Sequence, residues 1–122
     1  MPNRVHLISD ECVEVYFVGD QTEKTVQSLL VQSDQLLTKR GVPESKMNFL
    51  VNLSGIGKTT ARARVAASQA MRTRSFRRIG VFGSSIYVKY LATLVISASH
   101  KQSQVRYFND QTEALDWVCQ SD

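Results

Sequence analysis

Two short stretches concentrate the residues that could do chemistry. Ser54-Gly55-Ile56-Gly57-Lys58-Thr59-Thr60 reads as a tight loop entering a helix, and Gly83-Ser84-Ser85 reads as a second. Gly57-Lys58-Thr59 matches the end of a phosphate-binding loop, G-x-x-x-x-G-K-[ST], whose backbone N–H groups cradle phosphates while its lysine reaches the outer ones. The match fails at the first position, where Asn52 stands in place of a glycine whose backbone freedom the wrap requires. A magnesium-binding aspartate is also missing, because no carboxylate occurs between Glu44 and Asp110. These gaps argue against nucleotide hydrolysis. A simpler anion site survives. Both loops belong at the carboxyl edge of parallel strands, where open α/β sheets bind ligands. Helix N-termini there present unpaired N–H groups and partial positive charge. Lys58, Thr59, Thr60, Ser84 and Ser85 are therefore candidates for an anion or phosphorylation site, although ordinary helix capping by Ser and Thr explains the same residue types.

Other catalytic constellations are not evident. A nucleophile needs a base within hydrogen-bond reach, and neither loop offers a histidine or carboxylate. Asp10, Glu11 and Glu14 cluster around a hairpin turn, where solvated carboxylates are usual, and His100 reads as a dipole contact at a helix end. Cys12 and Cys119 lie far apart and read as cytosolic free thiols. With no Cys/His cluster, neither a metal nor a cofactor is expected, and no glycine pattern fits a dinucleotide.

Charge is unevenly placed. Residues 45–109 carry eleven cations and no carboxylate, between two acidic ends. Such a block either attracts an anionic partner or folds against the acidic ends and is neutralised there. Arg62, Arg64, Arg72, Arg74, Arg77 and Arg78 suit phosphate contact, but they come without an aromatic base-stacking pattern or a helix-turn-helix. A solvated face is the expectation, with no specific nucleic-acid binding.

The elements that must position these residues follow from periodicity. Residues 4–9 and 12–18 read as an antiparallel hairpin turning at Asp10-Glu11. Asp20, with Glu23 three residues on, reads as the N-cap of a helix that ends at Lys39-Arg40-Gly41. Met47–Leu53 is a buried strand, followed by a helix with a stripe of Ala63, Ala66, Ala67 and Ala70. Ile79–Phe82 is a strand. The helix from Ile86 to about His100 is apolar nearly all round, so it is either deeply buried or meets a partner or ligand. Tyr87, Tyr90, Leu91 and Leu94 are its candidate ligand or dimer surface. Val105–Phe108 is the last strand, and Asp110 with Glu113 opens the last helix. The order β-β-α-β-α-β-α-β-α implies a single α/β domain over residues 1–122 with a mixed five-stranded sheet. The 122 residues suffice for one core, 43% are hydrophobic, no apolar run is long enough to cross a membrane, and the N-terminus lacks the apolar segment of a secretory signal. The expected location is cytoplasmic.

Asn52-Leu53-Ser54-Gly55, Ile79-Gly80-Val81-Phe82-Gly83 and the closing Val105–Val118, with its V-x-x-F-x-D-x-x-E-A-L-x-W-V pattern, resemble the STAS/SEC14-like proteins, bacterial relatives of the SpoIIAA-like anti-sigma-factor antagonists. The resemblance implies a mixed sheet wound with helices, no enzymatic activity, and regulation through a protein partner such as a kinase or an anti-sigma-like regulator. In the antagonists a serine at the N-terminus of the helix after the third strand is phosphorylated. That position falls at Thr59 or Thr60, and Gly57-Lys58-Thr59-Thr60 stands where the antagonists carry Asp-Ser-Ser-Gly. The SEC14 side of the resemblance implies the alternative, a protein that binds lipid or a small apolar ligand.

Overall fold

The structure is a computed structural model and describes residues 3–121. Its first hairpin pairs β1 (Arg4–Ser9) antiparallel with β2 (Cys12–Gln21), Leu7 lying opposite Val13. Then follow α1 (Glu23–Arg40), a short 3-10 turn (Glu44–Lys46), β3 (Asn48–Thr59), α2 (Ala61–Thr73), β4 (Arg78–Phe82), α3 (Ile86–Ser99), β5 (Val105–Phe108) and α4 (Gln111–Val118). The sheet order is β1-β2-β3-β4-β5, with every pair after the first parallel. The fold is thus a single α/β domain with a mixed five-stranded sheet, as the element order implies.

This topology fixes the layers. Each crossover from β2 to β5 advances one strand in the same direction, and right-handed crossovers then place α1, α2 and α3 on one face. Val13, Val15, Phe49, Ile79 and Val81 of the sheet pack there against Leu29, Leu37, Val88 and Ala92. The last helix follows no crossover and covers the other face, where Cys12, Leu50 and Phe82 meet Ala114, Trp117 and Val118.

Several local expectations need correction. The stretch Ser54–Thr59 is not a loop. β2 and β3 run on together, with Val18 beside Gly55, Gly19 beside Ile56 and Gln21 beside Thr59. The Asp20 carboxylate accepts the Lys58 N–H at 2.8 Å, and the Thr60 N–H donates to the Gln21 carbonyl at 3.1 Å. Asp20 is therefore committed to this pairing, and α1 is capped by Thr22 in a capping box with Thr25. Gly57 serves the approach of the two strands. A Cβ there would overlap Asp20 Oδ1 and lie 3.0 Å from both Asp20 N and Gly19 C. Glu14 is not a solvated hairpin acid. It is 3% exposed, and its carboxylate accepts from Asn52 Nδ2 at 3.4 Å and Gln111 Nε2 at 3.2 Å, with His6 Nε2 at 3.3 Å. Elsewhere the sequence signals hold: Gly41 closes α1 at φ 70°, and Asp110 caps α4 through the Glu113 N–H.

Candidate functional site

The carboxyl ends of the parallel strands carry all five of the candidate anion or phosphorylation residues. Thr60 caps α2, its hydroxyl accepting the Ala63 N–H at 3.0 Å. Ser85 caps α3 in the same way, accepting from Val88 N at 3.0 Å. Ser84 is exposed next to it, and so is Lys58 at the end of β3. Thr59 is half-buried, and its hydroxyl accepts from the Arg64 guanidinium at 2.9 Å. The same Arg64 nitrogen reaches the Thr59 carbonyl at 2.9 Å, so one cation, set a turn into α2, grips the residue before the cap. Helix capping thus accounts for Thr60 and Ser85, and the rim still presents two helix N-termini, an ammonium and a guanidinium.

A hydrogen bond joins the two candidate segments. The Tyr87 hydroxyl donates to the Gly57 carbonyl at 2.7 Å and so fastens the first turn of α3 to the end of β3. The turn before α3 is equally tight. A Cβ at Gly83 would lie 2.6 Å from Val88 Cγ1, and the Gly83 carbonyl accepts the Tyr107 hydroxyl. Burial pushes that phenol's pKa up.

The four α3 candidates separate. Leu91 is buried, whereas Tyr87, Tyr90 and Leu94 face outward, Tyr90 at 62% exposure and Leu94 at 40%. Ile86 is more exposed still, at 89%. The helix is apolar nearly all round because its inner face meets the sheet while its outer face remains apolar. Beneath α2 and α3 lies an apolar cavity of about 70 Å³, lined by Phe17, Leu53, Leu91, Ala92 and Val95 among others. A second, of about 100 Å³, lies under the α1 side of α2. Phe17, Val26, Val51, Ala67 and Met71 line both. Ala63, Ala67 and Ala70 of α2 line these spaces, and their small side chains leave them unfilled.

The basic block does not form one face. Arg74 pairs with Asp34 and Glu44 of the acidic N-terminal third, and the Asp34 hydrogen bond raises its pKa further. Arg77 donates to the Val118 carbonyl at 2.6 Å and Arg78 to the Trp117 carbonyl at 2.7 Å, on the α4 side. Arg78 and Arg106 both lie about 5 Å from the Trp117 ring centre. Arg62, Arg72 and Lys89 are exposed on the opposite side, on α2 and α3. Neutralisation against the acidic N-terminal third therefore accounts for Arg74. Glu14 is the chemical group that the sequence reading missed. Its position two residues from buried Cys12 on the same strand, hence on the same sheet face, was the available signal. Cys12 and Cys119 are both free, yet they line one cleft at the end of α4. Burial, with smaller contributions from Cys119 and Glu14, pushes the Cys12 thiol up to about 12.

A leading antiparallel strand, three sequential parallel pairings and capped helix ends along one sheet edge are the features of STAS-type domains. The chain belongs to the SpoIIAA-like family, whose model matches residues 12–119. Among solved structures it is similar to an uncharacterised Shewanella loihica PV-4 protein with a SpoIIAA-like fold, at 15% identity and TM-score 0.67, over 96% of this chain and 92% of that one. It is also similar to the anti-sigma factor antagonist SpoIIAA in its unphosphorylated form, at 12% identity and TM-score 0.62, covering 95% and 96%. The Bacillus cell fate determinant SpoIIAA in the phosphorylated form matches at 13% identity and TM-score 0.61, covering 95% and 98%. At these identities the likeness is one of fold. No curated protein gives a significant match.

Proposed function

We propose that this chain is a non-enzymatic bacterial regulatory domain that works in the cytoplasm through a protein partner and is switched by phosphorylation of Thr60. Membership of the SpoIIAA-like family supports the regulatory part. The observation that carries the switch is the place of Thr60: an exposed hydroxyl at the N-cap of α2, at the end of the strand that Tyr87 ties to α3. A phosphoryl group there meets the open N–H groups of the helix, and Arg64 is close by on its first turns. Thr59 is the weaker acceptor because its hydroxyl is half-buried against Arg64, and Ser84 and Ser85 form a second modifiable pair across the Tyr87–Gly57 bond. The partner is a kinase or an anti-sigma-like regulator that reads this rim. Phosphate mapping on the protein isolated from its host tests the reading, together with capture of partners by Thr60→Ala and Thr60→Asp. One phosphate at Thr60 and a partner held by only one of the two variants is the expected result. An unmodified chain whose variants capture the same partners equally sinks it.

A second reading, binding of a small apolar ligand, is favoured by a different observation: the paired cavities that flank α2. Native mass spectrometry of the protein from its host tests this reading. A co-purifying apolar molecule that is lost on Ala67→Leu supports it, and a bare chain counts against it.

A further inference from the structure

Two thiols that neither the rim nor the cavities employ face each other at the opposite end of the sheet. Cys12 opens β2, beside Asn48 at the start of β3, on the edge away from Thr60. Its side chain is buried and packs with Trp117 and Val118 of α4. Cys119 is the C-cap of that helix and is exposed. Both line one polar cleft of about 330 Å³. They are the chain's two cysteines, so each is the other's only thiol partner within the molecule. Arg77, just before β4, brackets the pair. Its guanidinium donates to Oδ1 of Asn48, the ladder neighbour of Cys12, at 3.1 Å. It also donates to the Val118 and Gln120 carbonyls, on either side of Cys119. One side chain thus holds the backbone around both sulfurs. Their closeness registers electrostatically as well. Of the two neighbours that push the Cys12 thiol up, Cys119 acts more strongly than Glu14, which stands two residues along the same strand face.

We infer that Cys119 and Cys12 are a peroxide-responsive pair, in which exposed Cys119 is oxidised first and buried Cys12 then closes a disulfide onto it. In the first step the Cys119 sulfur attacks one oxygen of a hydroperoxide. The O–O bond breaks and an S–O bond forms. The leaving oxygen takes up the thiol proton and departs as water or an alcohol, and Cys119 becomes a sulfenic acid. In the second step the Cys12 sulfur attacks the Cys119 sulfur. The S–S bond forms, the S–O bond breaks, and the hydroxyl leaves as water with the Cys12 proton. The two thiols have lost two electrons, and the peroxide has gained them. Burial sets the order. Cys12 is 1% exposed and holds its proton tightly, so an oxidant in solvent meets Cys119. The cross-link ties the end of α4 to the first residue of β2. A disulfide that forms only under oxidant is the kind that reducing compartments use for sensing. The pair lies at the far end of the parallel strands from the rim, so the inference stands whether or not Thr60 is modified.

Hydrogen peroxide added to the whole reduced chain tests it. In the wild type the thiol titre in denaturant is expected to fall from two to zero. A non-reducing peptide map is expected to show Cys12 joined to Cys119 within one chain, and dithiothreitol to restore both thiols. Under the same dose Cys119→Ser keeps the Cys12 thiol intact. Cys12→Ser leaves Cys119 as a sulfenic acid that dimedone captures. Two thiols still titrating after peroxide overturn the inference. So does Cys119 driven to a sulfinic acid, or joined to a second chain, while Cys12 keeps its thiol. Oxidation of Cys12 in the Cys119→Ser protein overturns the order of the steps. The peptide map of the wild type decides the cross-link whether or not the variants fold.

Discussion

Gly57→Ala discriminates between the strand that the structure contains and the phosphate loop that the Gly-Lys-Thr spelling suggests. A Cβ at residue 57 meets three atoms across the β2–β3 ladder: Asp20 Oδ1, which it overlaps, and Asp20 N and Gly19 C, each at 3.0 Å. The carboxylate can swing away, but the two backbone atoms cannot move without separating the strands. Overpacking of this kind costs about 1–3 kcal/mol. Displacing the Asp20 carboxylate also loses its bond to the Lys58 N–H, which at this exposed position contributes about 1 kcal/mol. The sum is about 2–4 kcal/mol, or a fall in melting temperature of about 8–15 °C for a chain of this size. Thermal unfolding followed by circular dichroism measures it directly. In an Asp20→Ala background the side-chain part disappears and the backbone part stays, so Gly57→Ala still lowers the melting temperature there, by less. A Gly57→Ala protein that melts within about 2 °C of the wild type refutes the argument. Loss of phosphate affinity without loss of stability would return Gly57 to a ligand-binding role.

Four further outcomes follow from other contacts in the structure. Thr60→Ala removes the α2 cap and costs about 1 kcal/mol in a denaturation midpoint experiment, whereas Thr60→Asp keeps a capping acceptor and unfolds close to the wild type. Cys119 is exposed and reacts with a thiol reagent at pH 8, while buried Cys12 reacts only after unfolding, so the titre is one thiol native and two in denaturant. Because the native Cys12 thiol keeps its proton up to about 12 against an ordinary value of 9.0, the unfolded chain binds fewer protons between those values. Stability is therefore expected to fall as pH rises through that window, and Cys12→Ser removes this component of the slope. Ala67→Leu projects into the space shared by both cavities, raises the melting temperature by a few degrees if the cavities are empty, and reduces uptake of an apolar dye.

The order of elements was legible because each signal was local. The β-branched and aromatic residues of Cys12–Val18, the cations and glycine at Lys39-Arg40-Gly41, and the Asp110–Glu113 spacing all depend on neighbours within a turn or a strand, and each matches the structure. The failures share a cause of the opposite kind. Ser54–Thr59 looks like a loop because glycine, serine and threonine favour turns, but a strand of partners from β2, thirty-eight residues away at Lys58 and Asp20, supplies the hydrogen bonds that make it extended. Asp20 reads as a cap because a carboxylate three residues before a glutamate fits one; the cross-strand amide of Lys58 claims it instead. Glu14 looks solvated from its neighbours in sequence and is buried by Gln111 and Asn52, which no local pattern places beside it.

By itself the sequence determined the α/β class, the succession of strands and helices, the helix ends at Gly41 and Asp110, the candidate rim of Lys58, Thr59, Thr60, Ser84 and Ser85, and an α3 with more apolar surface than a core can use. These depend on backbone propensity and hydrophobic period, which act over a few residues. Only the tertiary structure decided that the end of β3 meets the first turn of α3 through Gly57 and Tyr87, that the arginines divide between two faces and the acidic N-terminal third, and that an alanine stripe leaves paired cavities. Those features arise where segments far apart in the chain approach one another, and the approach is set by the packing of whole layers rather than by any residue's own preference.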